Sequence, residues 1–148
     1  MQQFREVKVK KVDPNAIIPT TAYGEDVGYD VYALEDVDIP YGAVREIRTG
    51  LAFEPPTGYY FTVETRSCFG RAGKSIHHGI IDPGYRGEIT IHIRNTATNT
   101  MVKDTLSIKR GEKIAQLVFH RAIYVQFTEV TELGVSERGE KNYGSSGQ

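Results

Sequence analysis

The sequence predicts an all-β fold, a sandwich or barrel of roughly ten short strands. Two observations carry that prediction. Apolar residues recur at a period of two, as in Val7 and Val9 between lysines and Ile89, Ile91 and Ile93 in EITIHIR. That spacing sets alternate side chains on one face of a strand. Turn formers, among them Gly42, Pro55-Pro56, Gly58, Pro83-Gly84 and Gly111, break the runs at short intervals. No stretch carries a convincing amphipathic helical pattern.

In chain order, GYDVYA (Gly28 to Ala33) and YYFTVETR (Tyr59 to Arg66) are strand-like, the second rich in aromatic and β-branched residues. KIAQLVFHR and AIYVQFTEV, from Lys113 to Val130, add two more such runs. After Thr131 the composition turns polar and glycine-rich, in ELGVSERGEKNYGSSGQ, with little to bury. The expected organisation is therefore one β-domain over residues 1–133 and a flexible arm over 134–148.

The bulk properties narrow the function. A chain of 148 residues with 39% hydrophobic and 25% charged residues can bury a real core. Its formal net charge of −1 gives no global pull toward nucleic acid or a membrane surface, and neither is expected as a partner. No apolar run reaches membrane-span length. Cys68 is the only cysteine, which precludes an internal disulfide and suits a reducing compartment. With no signal-peptide pattern at the N-terminus, the expected location is the cytoplasm, or the nucleus in a eukaryotic or viral setting.

CFGRAGKS (Cys68 to Ser75) looks like a phosphate loop and fails as one. Cys68 stands where a Walker loop needs its first glycine, and no helical pattern follows Ser75. Arg66 and Ser67, at the end of a strand, still offer a guanidinium fork and a hydroxyl to a phosphate. On those residues alone an ordinary turn with an exposed arginine is the simpler reading.

In GIIDPGYRGEI (Gly79 to Ile89), Asp82 places a carboxylate at a tight turn, with Tyr85 close by. Such aspartates usually cap their own turn. Asp30 lies inside a strand-like run and, if buried, needs a partner or a metal-bound water. Gln116 is a polar amide among apolar neighbours and wants a bond. His77 and His78 are adjacent and point to opposite faces of a strand, while His92 and His120 stand alone, so no zinc site is expected.

Five stretches in this order, AYGEDVGYDVYA, ETRSCFGRAG, GIIDPGYRGEI, RGEKIAQLVFHR and RGEKNYGSSG, resemble the five motifs of the trimeric dUTPase family. The resemblance runs from Ala22 to Gly147. It implies a homotrimer of jelly-roll-like distorted barrels with active sites at subunit junctions. The implied reaction is hydrolysis of dUTP to dUMP and pyrophosphate, with a magnesium ion, Mg2+, on the triphosphate.

By the same resemblance, Asp82 is the general base that deprotonates a water attacking the α-phosphorus. Asp30 supports the metal through water. Tyr85 lies under the deoxyribose and leaves no room for a 2′-hydroxyl. Arg66, Ser67 and Gln116 meet phosphate, with Cys68 beside them. Main-chain groups around Ile76, Gly79 and Ile81 read uracil. Arg138 clamps the outer phosphates, Tyr143 stacks on the base, and Gly144, Ser145 and Ser146 complete the arm's contacts.

Two other readings share the barrel. RSCFGR also resembles the arginine-serine motif of the dCTP deaminases, but their proton-shuttling glutamate would stand where this chain has His92. A non-catalytic nucleotide-binding module is the other, and the complete set of Asp30, Asp82, Tyr85, Gln116 and Arg138 argues against it.

Overall fold

The computed structural model describes residues 5–72, 74–77, 79–96, 105–137 and 139. Eleven strands and one short helix are found there. The strands are β1 (Lys8–Lys11), β2 (Gly28–Tyr32), β3 (Val37–Ile39), β4 (Val44–Arg48), β5 (Leu51–Glu54) and β6 (Tyr59–Glu64). After the helix α1 (Ser67–Arg71) come β7 (Lys74–Ile76), β8 (Gly79–Ile81), β9 (Thr90–Asn95), β10 (Leu106–Ile108) and β11 (Lys113–Arg121).

All pairings are antiparallel. The largest sheet runs β2-β11-β6-β8, and a second runs β4-β9-β7. Two-stranded ladders, β1-β5 and β10-β3, complete the jelly-roll-like distorted barrel.

Period-two patterning does what it predicts. In β9, Ile91, Ile93 and Asn95 point into the core while His92 and Arg94 face out. In β6, Phe61 and Val63 are buried between outward neighbours. Val31, Ala115, Leu117, Ile47 and Ile114, from both larger sheets, join one apolar cluster with them. Asn95 is tolerated inside because its amide donates to the Ile39 carbonyl at 3.0 Å. At Gly42 and Gly58 the turns need φ of +78° and +82°, which only glycine adopts cheaply.

One expected strand is absent. AIYVQFTEV forms no ladder; after Arg121 the main chain is tied by the Ala122 amide to the Gly58 carbonyl at 2.8 Å and then runs exposed. Ile123 is 87% and Phe127 93% exposed. The run has strand composition, but a strand forms only where an edge offers hydrogen-bond partners, and none among the described residues takes it. No helix among the described residues is long and apolar enough to cross a membrane.

Candidate active site

The predicted residues fall into two groups. The first lies on the outer face of the largest sheet, where Gln116 sits opposite Asp30 on β2 and Glu64 on β6. Alternation turns Val31 and Leu117 inward, so Asp30 and Gln116 share the opposite face. The Asp30 carboxylate meets Arg66 Nε through Oδ1 and Lys113 Nζ through Oδ2, both at 2.8 Å. Its side chain is only 13% exposed, so the two cations answer the charge that the sequence left unpartnered.

Lys113 is the residue that sequence reasoning missed. In a regular strand, Lys113 and Gln116 would point to opposite faces. A register shift between Lys113 and Ala115 puts Lys113 opposite Tyr32, on the face of Asp30. The bond to Asp30, then its charge, raises the Lys113 pKa above the usual lysine value. The only signal in the sequence was a lysine near the glutamine, and alternation argued against it.

Arg66 also donates from Nη1 to the Lys113 carbonyl at 3.3 Å, and it occupies the N-cap position of α1, where its carbonyl accepts the Phe69 and Gly70 amides. The helix is pinned by buried Phe69, under Lys74 Nζ at 4.6 Å from the ring centroid. Ser67 and Cys68 are exposed on its first turn. Gln116 donates from Nε2 to the Thr65 carbonyl at 3.1 Å. Its carboxamide passes directly over Gly28, where a Cβ would stand 2.1 Å from Oε1.

The second group surrounds a cleft of about 360 Å³, lined by His77, Gly79, Ile81, Asp82, Tyr85 and His92 among others. Among the described residues β8 pairs with β6 alone, so its other edge is open. Asp82 is exposed just past that edge. The Tyr85 amide closes the turn on the Asp82 carbonyl at 3.0 Å, and the Arg86 guanidinium donates to the Pro83 carbonyl at 2.7 Å. Ile76 keeps its side chain in the core opposite Ile93, which leaves its main chain as the part able to meet a ligand.

A larger groove, about 410 Å³, is lined by Val7, Val9, Val27, Tyr29 and Phe119 and by none of the predicted residues. Arg5, Glu25 and Asp26 also line it, so the groove is not purely apolar.

The two groups do not meet within one chain. Ile81 is opposite Phe61 and Gln116 opposite Glu64, so Asp82 and Gln116 sit four steps apart along β6. At about 3.4 Å per step that is about 14 Å, and Asp30 lies three strand spacings of about 4.8 Å across from β8. Arg138, Tyr143, Gly144, Ser145 and Ser146 lie outside the described residues, as does His78. Among the described residues no group of three or more His, Cys, Asp or Glu side chains is placed to hold a metal ion.

Comparison with known proteins agrees with the motif order. A family model described as dUTPase matches residues 14–147. The deoxyuridine 5'-triphosphate nucleotidohydrolase of Thermobifida fusca (strain YX) is 39% identical over 144 residues, covering 95% of this chain and 78% of that protein. Its counterpart from Clostridioides difficile is 37% identical, over 95% and 97% of the two chains. Among solved structures, the Staphylococcus bacteriophage 80alpha dUTPase with dUpNHpp superposes with a TM-score of 0.88 at 30% identity, over 98% and 100% of the chains. A mutant dUTPase from phage phi11 of S. aureus, described as coordinating a structural Mg(II) ion, gives 0.79 at 26% identity over 86% and 98%.

Proposed function

This chain belongs to the dUTPase family, the dUTP diphosphatases, and from that premise we propose how it hydrolyses dUTP to dUMP and pyrophosphate. The observation that carries the reading is Asp82, an exposed carboxylate at the mouth of a cleft whose wall is an open strand edge. Uracil binds along that edge, read by main-chain groups near Ile76, Gly79 and Ile81. Tyr85 lies under the deoxyribose. Asp82 holds a water and removes its proton as the oxygen attacks the α-phosphorus, and pyrophosphate leaves. A placed carboxylate base contributes ~10²–10⁴-fold.

Arg66, Ser67, Cys68 and Gln116 receive the phosphates; Arg138, Tyr143, Gly144, Ser145 and Ser146 close over them from the arm, 134–148, beyond a barrel of 1–133. Positioning and charge neutralisation dominate phosphoryl chemistry, so these donors carry much of the rate. Bound on the triphosphate, a magnesium ion would supply further charge neutralisation there. Both Asp30 oxygens are held in ion pairs, so a water-mediated role fits Asp30 and direct ligation does not. Among the described residues no carboxylate cluster is placed to hold the ion, so substrate phosphates and water would supply most of its ligands.

The enzyme works as a homotrimer, each site taking Asp82 and Tyr85 from one copy and Arg66 and Gln116 from another. The distance between the two groups within one chain supports this, as does the exposed run after Arg121, which joins no ladder among the described residues. The expected cellular site is the cytoplasm.

The test is incubation with dUTP and, separately, dCTP in the presence of Mg2+. Pyrophosphate release from dUTP alone is expected. A base-absorbance change with dCTP supports deamination instead, and tight dUTP binding without turnover leaves only a nucleotide-binding module.

A further inference from the structure

We propose that Glu88 is the positioning residue that sets discrimination between deoxyribose and ribose, by fastening the turn that carries Tyr85. The proposal rests on the reading of Tyr85 given above and adds to it what holds the ring in place.

The turn from Asp82 to Gly87 lies largely at the surface: Asp82, Gly84, Tyr85 and Arg86 are exposed, Pro83 and Gly87 partly buried, and full burial resumes at Ile89. The Tyr85 ring is nevertheless tied. Its hydroxyl donates to the Glu88 carbonyl at 3.1 Å. It lies so close over Gly87 that a Cβ there would stand 2.3 Å from Oη. The mount of the ring is therefore the main chain at Gly87 and Glu88.

Glu88 is in turn bolted to the barrel. Its Oε1 accepts the Gly50 amide at 2.8 Å, and Arg48 Nε meets both carboxylate oxygens at 3.1 and 3.2 Å. The side chain is 22% exposed, and a charged acceptor makes such bonds stronger than neutral ones. Gly50 is itself rigidly set. It holds φ at +70°, an added Cβ would stand 2.9 Å from the Ala16 Cβ, and its carbonyl accepts the Val12 amide at 2.9 Å.

A ribose differs from a deoxyribose by one oxygen, and a flat ring rejects that oxygen only if it cannot retreat. Selectivity then depends on the stiffness of the mount as much as on the ring, as for any site whose supporting contacts fix its contact residues. The peptide that bears the Glu88 carbonyl is also held from its far side, where the Ile89 amide donates to the Leu51 carbonyl at 2.8 Å. Severing the carboxylate's bonds therefore leaves that peptide on one anchor instead of two, and loosens the partner of the Tyr85 hydroxyl.

The experiment compares kcat and KM for dUTP and UTP, with Mg2+, in the full-length parent, Glu88→Ala, Glu88→Gln and Arg48→Gln, with thermal midpoints alongside. Glu88→Ala is expected to lower the dUTP-to-UTP ratio of kcat/KM about tenfold, the scale of one lost charged hydrogen bond. Glu88→Gln keeps an oxygen for the Gly50 amide and is expected to recover most of the ratio. A parental ratio in Glu88→Ala, however far the midpoint falls, overturns the proposal and makes Glu88 a structural staple. If Glu88→Ala does not fold, Arg48→Gln decides, with a fall of about threefold expected and an unchanged ratio overturning the proposal. A parent inactive on dUTP sinks the functional reading as well; an active parent with unaltered variant ratios sinks this inference alone.

Discussion

Gly28→Ala puts one methyl group where Gln116 has its carboxamide. The added Cβ would stand 2.1 Å from Gln116 Oε1 and 3.0 Å from its Cδ. The strand backbone at Gly28 has no positive φ, so alanine itself is not strained there. What must yield is the free end of a long side chain. Displacing it loses the bond from Nε2 to the Thr65 carbonyl, about 1 kcal/mol, and an off-rotamer excursion costs about 1 more. The fold should thus lose no more than about 2 kcal/mol. If Gln116 meets phosphate, the same displacement removes a hydrogen bond to a charged group, about 1.5–3 kcal/mol, or roughly 10- to 150-fold in kcat/KM. Steady-state kinetics on dUTP and a denaturant titration read the two effects separately. A variant with kcat/KM within twofold of the parent refutes the assignment of Gln116.

Asp82→Asn should lower kcat by ~10²–10⁴-fold with an unchanged thermal midpoint, since Asp82 is exposed; a large stability loss would make it a structural cap instead. Removing residues after Gly134 should abolish turnover and barely move the midpoint, checked by activity and calorimetry. Lys113 has a folded-state pKa raised above the ordinary lysine value of 10.5 through its bond to Asp30. Its contribution to stability is therefore fully present below the unfolded-state value and is lost as pH rises through the folded one. Alkaline denaturation curves should show a component above pH 10.5 that Lys113→Met lacks; identical curves would mean that the pair adds nothing to folding. Lys8 shifts the same way through Glu54, so the parent-minus-variant difference isolates Lys113.

Much of this was legible in the residues, and the limits have physical causes. The alternation in EITIHIR gave β9 with its inward isoleucines because a half-buried strand imposes that period directly. Turn glycines such as Gly42 and Gly58 were readable because positive φ excludes other residues. The partners of Asp30 were not, because one comes from a register shift that no alternation rule anticipates. Nor was the space over Gly28, a tertiary contact between strands far apart in sequence. AIYVQFTEV misled for a different reason. Its composition suits a strand, but pairing is decided by an edge, and among the described residues none pairs with it.

The predicted site residues were named as types and motifs, while their division into two groups came only from the sheet. Asp82 and Tyr85 border the edge strand β8, and Asp30, Arg66 and Gln116 occupy the far end of β2, β6 and β11. Sequence order shows none of this, since Arg66 and Asp82 are closer in the chain than Arg66 and Gln116.

The most direct test of the mechanism is to run the dUTP reaction in water labelled with heavy oxygen and weigh the products. Attack at the α-phosphorus, driven by Asp82, predicts the label in dUMP and none in pyrophosphate. Label in pyrophosphate, or no turnover of dUTP at all, contradicts the account.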